Sequence, residues 1–319
     1  MDKVFITGSA GFIGYHVSKS LLEQGAFVVG VDNMNDYYDP KLKYNRTKEL
    51  EQYLHFNFHN ADIVDYRNLS DIYDKYDCQY IIHLAAQAGV RYSIVNPFAY
   101  QKSNLEGFLS ILEIARQHHV NNMIFASSSS VYGANSKIPF SVKDPIAKPI
   151  SFYGATKLAN EVMAYSYHHL FGIPMVGLRF FTVYGPWGRP DMAYYKFADS
   201  IINGKTIDVY NNGKMHRSFT YISDVVDGVI SALKKSSDFK IYNIGNPEYV
   251  DLVYFIKCIE KAIDKKAILN YLPLQDGDMI ATQADIDESR HDLGFNPVVT
   301  IDEGIKMFIE WYKKYNKLA

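Results

Sequence analysis

The stretch VFITGSAGFIG, residues 4 to 14, joins an apolar run to a helical pattern through Gly8-x-x-Gly11-x-x-Gly14. At that spacing the first glycine permits a tight turn and the second lets a phosphate group approach the backbone. The third lets the following helix pack on the strand. A helix beginning near Phe12 would present unpaired N–H groups and positive potential to the same phosphates. Gly8, Gly11, Phe12, Ile13 and Gly14 are therefore read as a dinucleotide cradle. The rest of the first half repeats the alternation. Apolar runs at 27–31, 54–58, 80–84, 123–126 and 175–178 predict strands, and patterns at 12–24, 67–76, 98–118 and 152–171 predict helices. This is the signature of a doubly wound parallel α/β sheet.

Asp32 closes the second predicted strand in VVGVDN. A carboxylate there accepts hydrogen bonds from an adenosine ribose and repels a 2′-phosphate, so NAD is favoured over NADP. Asn33 follows it, and Asp62-Ile63 after the third strand suits contact with an adenine ring. The fourth strand runs into HLAAQAG, where Leu84, Ala85 and Ala86 allow the dinucleotide to lie close to the backbone. After residue 180 the texture changes: TVYGPWGRPD and YNNGKMHRS are rich in turn formers and the later elements are shorter. The expected organisation is a cofactor domain over 1–180, to which 222–247 returns, and a smaller mixed α/β substrate lobe made of 181–221 and 248–319.

The bulk properties narrow the function. The 319 residues carry a formal net charge of -2, which offers no long-range attraction to nucleic acid or to anionic lipid. No apolar span of about 20 residues and no basic leader are present, so membrane partnership is not expected and a cytoplasmic location is. The 2 cysteines, Cys78 and Cys258, have no metal-ligand or disulfide spacing, and no metal site is indicated. The 26 tyrosines and 19 phenylalanines are read as packing rather than as a base-stacking surface.

In SFYGATK, Tyr153 and Lys157 lie four apart and share a helix face if the helix begins at Ser151 or Phe152. A neighbouring ammonium lowers a phenol's pKa from about 10 toward working pH, making Tyr153 an acceptor for an alcohol proton. The SSSSVYG stretch at 127–133 would place hydroxyls at a strand end, where one can orient that alcohol.

TGSAGFIG, SSSSVYG and YGATK together resemble the extended short-chain dehydrogenase/reductase superfamily. The longer strings DNMNDYYDPKLK, AAQAGVRYS, NPFAY, RFFTVYGPWGRPDMA and DVYNNGKMHRSFTYI resemble its UDP-glucuronate 4-epimerases over nearly the whole chain. The resemblance implies a Rossmann domain, tightly held NAD, a UDP-sugar substrate, and a homodimer formed through the helices at 98–118 and 152–171. It also implies roles for individual residues. Ser128 matches the catalytic hydroxyl, Tyr153 the base and Lys157 its partner, which also bonds the nicotinamide ribose. Ser129, Ser130, Thr182 and Arg189 match positions around the substrate carboxylate, Arg217 pairs with the diphosphate, and Arg91 and Asp278 complete the substrate set. Two departures stand out. Ser218 replaces the Asp usual after this arginine, and Asp276 falls where Pro-Gly is usual. Related decarboxylases and dehydratases place an acid just before VYG, where this chain has Ser130. That serine argues against UDP-glucuronate decarboxylase and against a 4,6-dehydratase. A catalytically silent NAD-binding regulator, the alternative of another class, would commonly lack the Tyr/Lys pair.

Overall fold

The computed structural model describes residues 2–135, 137–235, 238–274 and 281–318. The elements of the cofactor-side layer are β1 (Lys3–Thr7), α1 (Phe12–Glu23), β2 (Phe27–Asp32), α2 (Lys41–Leu50), β3 (Phe56–Asn60), α3 (Tyr66–Tyr76) and β4 (Tyr80–His83). They continue with α4 (Val90–Val95), α5 (Pro97–Tyr100), a π-helical turn over Gln101–Glu106, α6 (Gly107–His118), β5 (Asn122–Ser128), α7 (Phe152–Phe171) and β6 (Met175–Phe180). Beyond these lie β7 (Thr182–Tyr184), α8 (Ala193–Asn203), β8 (Thr206–Val209), β9 (His216–Arg217), β10 (Phe219–Tyr221) and α9 (Ile222–Lys234). The chain ends with β11 (Phe239–Ile244), β12 (Val250–Asp251), α10 (Leu252–Ile263), β13 (Ile268–Tyr271), β14 (Ala281–Thr282), α11 (Asp287–Leu293) and α12 (Ile301–Tyr315).

Seven strands form one sheet in the order β11-β6-β5-β4-β1-β2-β3, every pairing parallel. Both faces of such a sheet are covered, which is why its strands read as continuous apolar runs. Alternate residues feed two cores. Val4, Ile6, Val28, Ile82, Ile124 and Val176 face the side covered by α1 and α9, and Phe5, Val29, Ile81, Met123, Phe125 and Met175 face α3, α6 and α7. The strand order reverses between β1 and β4, and a crevice opens there at the carboxyl ends of the strands, the place where open α/β sheets bind ligands.

Two expectations are corrected. The third strand begins at Phe56 rather than residue 54, because Val28 pairs with Phe56 and Leu54 is left 89% exposed. The helix expected over 98–118 is interrupted by the π turn, where Asn104 is buried and turned into the protein. Three small sheets, β10-β7, β12-β9-β14 and β13-β8, lie beyond the carboxyl edge, while α9 and β11 bring residues 222–244 back to the large sheet. Among the described residues no helix is long and apolar enough to cross a membrane.

Candidate active site

A cleft of about 910 Å³ runs from the β1–α1 turn across the ends of β4 and β5 to the small sheets. At its cofactor end Gly8 has a φ of +74°, and a Cβ there would stand 2.6 Å from the Ala85 nitrogen. A Cβ on Gly14 would collide with the Gly8 carbonyl oxygen. The turn is thus closed so tightly on the floor strand and on its own helix that side chains are excluded. Gly11 caps α1 without a side-chain partner, and no acidic residue sits in the first turn, so the helix start is free to receive an anion. This cradle and the neighbouring Asp32 fit NAD.

Asp32 is buried at the end of β2, and its Oδ1 accepts from Met34 N at 2.9 Å and from Lys43 Nζ at 3.3 Å. Among the described residues no bond falls on Oδ2, which is left for a ribose diol. Lys43, buried on α2, also donates to Asn35 at 3.0 Å. Nothing in PKLKYNR shows that its first or second lysine folds back onto Asp32. Asn33 lines the cleft and donates to Asp62 at 3.3 Å. Asp62, between the cleft-lining Ala61 and Ile63, also accepts from Val64 N at 3.1 Å. Ile63 lines the wall and packs on Gly107, where a Cβ would meet it at 2.6 Å. Leu84, Ala85 and Ala86 form the floor.

The floor is fixed by a residue that periodicity missed. Asn104 accepts from Gln87 N at 2.8 Å and donates to Gln87 O and to Thr156, both at 3.0 Å, and its carbonyl accepts from Asn160 at 2.6 Å. The π turn, a feature often found at functional sites, aims it there.

Ser151 caps α7 by accepting from Gly154 N at 3.0 Å, so Tyr153 stands in the first turn and Lys157 one turn below it. Ser128, the last residue of β5, lines the cleft with Tyr153; its Oγ donates to Ser130 Oγ and accepts from Ser130 N, both at 3.2 Å. The expected electrostatics are corrected here. Lys157 directs its ammonium to Ala126 O at 2.9 Å, and burial pushes its pKa down to about 8. Burial raises the Tyr153 phenol above its ordinary value, with the Ser128 hydrogen bond and the Arg189 charge working against it. Desolvation outweighs both of these influences in this state.

The serine run divides by role. Ser127 is buried and donates to Glu161 at 2.5 Å, and Glu161 is held bidentately by Arg179 at 2.9 and 2.8 Å. Ser127 therefore anchors β5 to α7, and all four serines reach the cleft wall, where the hydroxyls of Ser128, Ser129 and Ser130 are not tied to that anchor. Thr182 opens β7 beside them. Arg189 reaches the same cleft as a bidentate partner of Asp191, at 3.0 and 2.5 Å, with Tyr37 also donating to Asp191 at 3.2 Å. Burial opposes the Arg189 charge, yet Asp191 more than offsets it and the guanidinium pKa rises. At the far end Arg91 stacks over Tyr210 at 5.3 Å, and Arg217 donates to His216 O at 3.0 Å. Ser218 spends its hydroxyl on Asn246 O at 2.6 Å, supporting the strand. Asp276 and Asp278 lie outside the described residues.

The buried ammonium has a measurable consequence. Above pH 10.5 Lys157 is neutral in folded and unfolded chains alike, and below about 8 it is charged in both at a desolvation cost to the fold. Lys157→Met should therefore be more stable relative to the parent, both free of cofactor, at pH 7 than at pH 10. Urea unfolding at the two pH values reads the difference, and a pH-independent gap would mean that the ammonium is hydrated.

Comparisons with known proteins agree with this layout. The model of the NAD dependent epimerase/dehydratase family matches residues 4–245. An uncharacterised protein of Methanocaldococcus jannaschii is 53% identical over 311 residues, covering 97% of this chain and 95% of that one. UDP-glucuronate 4-epimerase 5 of Arabidopsis thaliana is 44% identical over 327 residues, covering 97% of this chain and 75% of its own. The crystal structure of UDP-glucuronic acid 4-epimerase from Bacillus cereus, in complex with UDP-glucuronic acid and NAD, superposes with a TM-score of 0.92 at 34% identity, covering 98% of this chain and 99% of that one.

Proposed function

The chain belongs to the NAD dependent epimerase/dehydratase family, and from that membership and the cleft we propose that it is an NAD-dependent 4-epimerase interconverting UDP-glucuronate and UDP-galacturonate. The carrying observation is the company kept by Tyr153. It shares the cleft with the hydroxyls of Ser128, Ser129 and Ser130, feels the positive charge of Arg189, and has no acid in the serine run beside it.

Gly8, Gly11, Gly14 and Asp32 would hold NAD, which when bound supplies the acceptor and later the donor of the sugar C4 hydride. Tyr153 takes the proton of the 4-hydroxyl, and Ser128 orients that hydroxyl and hydrogen-bonds the oxygen as charge develops. Lys157 holds the end of β5 through Ala126 and places a positive charge beneath the phenol. The resulting 4-ketone is β to the C5 carboxylate, a β-keto acid that loses carbon dioxide when its carboxyl bond aligns with the ketone π-system. Arg189 with Ser129, Ser130 and Thr182 would fix the carboxylate out of that alignment while the ring turns over. Arg217 and Arg91 would take the diphosphate end, where a guanidinium fork suits phosphate oxygens.

The direct test incubates purified protein with UDP-glucuronate and follows it by NMR while bound NAD is measured. UDP-galacturonate is expected to appear with no net consumption of NAD, and a pentose product or stoichiometric NADH would overturn the reading. A cytoplasmic homodimer accompanies this proposal, supported by exposed Phe98, Val162 and Tyr165 on α5 and α7. Sedimentation equilibrium checks it, and a monomer at micromolar concentration would refute it.

A further inference from the structure

We propose that Arg46 is a positioning residue that fastens the loop carrying Arg189 to the cofactor's glycine turn, and so sets the enzyme's preference for a uronate over a neutral sugar. The inference rests on the reading that Arg189 receives the substrate carboxylate.

Arg46 is fully buried on α2, and among the described residues no acidic side chain forms an ion pair with it. A buried cation without an acid is costly unless carbonyl dipoles consume its donors. Those dipoles come from two places. Nη1 donates to Ala10 O, inside the glycine turn, and to the Tyr38 hydroxyl, both at 2.8 Å. Nε and Nη2 donate to Trp187 O at 3.1 and 2.5 Å, and Nη2 reaches Gly188 O at 3.4 Å. Arg189 is the next residue.

A second donor from the cofactor side continues the clamp. His16 on α1 bonds Pro186 O at 2.9 Å. A carbonyl can only accept, so Nε2 carries the proton, and burial pushes the ring's pKa down to about 4, keeping it neutral at pH 7. Three successive carbonyls, of Pro186, Trp187 and Gly188, are therefore held by α1 and α2. The loop needs holding. Trp187 has a φ of +59°, a left-handed conformation unfavourable for a bulky side chain, and such strain persists only where surroundings impose it. Its ring is wedged against Tyr15, Trp311 and Tyr315 at centroid distances of 5.4, 5.4 and 5.2 Å. Arg46 grips the carbonyl of the same residue. A lysine at 46 would keep the charge, but its single ammonium lacks the planar fork that spans Ala10 and Trp187 together.

The experiment measures affinities for UDP, UDP-glucose and UDP-glucuronate by calorimetry on NAD-loaded protein, in a Tyr153→Phe background that blocks turnover. Arg46→Lys should leave UDP affinity within about twofold and lower the preference for UDP-glucuronate over UDP-glucose about tenfold, the scale of one misplaced charge-assisted hydrogen bond. A general loss of structure would weaken all three ligands alike. Arg189→Ala is the reference. If it leaves the preference intact, the carboxylate assignment fails; if it abolishes the preference while Arg46→Lys keeps it, the positioning role is overturned. Should Arg46→Lys not fold, Tyr38→Phe, which strips one acceptor from Nη1, is expected to move the preference in the same direction. An unchanged preference in that variant would equally overturn the role.

Discussion

Tyr153→Phe should lower kcat by about 100- to 10,000-fold, the usual contribution of a positioned proton acceptor, while UDP-glucuronate affinity stays within about threefold. The asymmetry follows from what the substitution removes. The ring remains against Tyr100, with which it makes an edge contact at 6.0 Å, so packing is retained. Only the hydroxyl goes, the group proposed to take the sugar's proton. On the proposed assignment the diphosphate is taken by Arg217 and Arg91, which this substitution leaves in place. Steady-state rates by coupled assay and affinity by calorimetry separate the two quantities. A variant with near-parental kcat would mean that another group takes the proton, and one with unchanged kcat but weak binding would make Tyr153 a binding residue.

Much of this site was legible because its chemistry is local. Gly8, Gly11 and Gly14 sit where one turn forces them to be small, and Tyr153 and Lys157 are one helical turn apart, so spacing alone puts them together. The sheet was legible for a related reason: strands buried on both faces need continuous apolar centres, and β1, β2, β4, β5 and β6 have them. What could not be read depends on partners remote in sequence. Arg46 meets Trp187 across 141 positions, and its acceptors are carbonyls, which every residue has. Lys43 pairs with Asp32 only because α2 folds back over β2. Asn104 falls inside the run at 98–118 that predicts one helix, because an extra residue in a π turn rotates the face without altering composition. Asp191 lies in plain sight two residues after Arg189, yet the sequence has no means of showing that it occupies the arginine in advance.

Arg189 is already paired with Asp191 before any substrate arrives. Arg189→Ala should weaken UDP-glucuronate binding by about 10- to 100-fold, the scale of a lost charge-assisted hydrogen bond, and should send part of the intermediate to decarboxylation. Burial tends to raise the Asp191 pKa, but Arg189 holds it below the ordinary value, so Asp191 is anionic at neutral pH. Deleting the guanidinium alone leaves this carboxylate and the sugar's carboxylate in one cleft without the charge between them. Some of the lost affinity is then repulsion. The double variant Arg189→Ala with Asp191→Asn removes that repulsion and should recover part of the binding, but it restores nothing that restrains the β-keto acid. Carbon dioxide release, a 4-keto pentose in the NMR spectrum and a growing reduced-nicotinamide absorbance should therefore persist in the double variant. The rate of 4-hydroxyl oxidation should fall as well, because the positive field that opposes the rise in the Tyr153 pKa is gone. If the double variant instead binds and epimerises like the parent and releases no carbon dioxide, Arg189 serves only to anchor its loop. The carboxylate would then be held by the hydroxyls of Ser129, Ser130 and Thr182, and the preference for a uronic acid would have to be sought there.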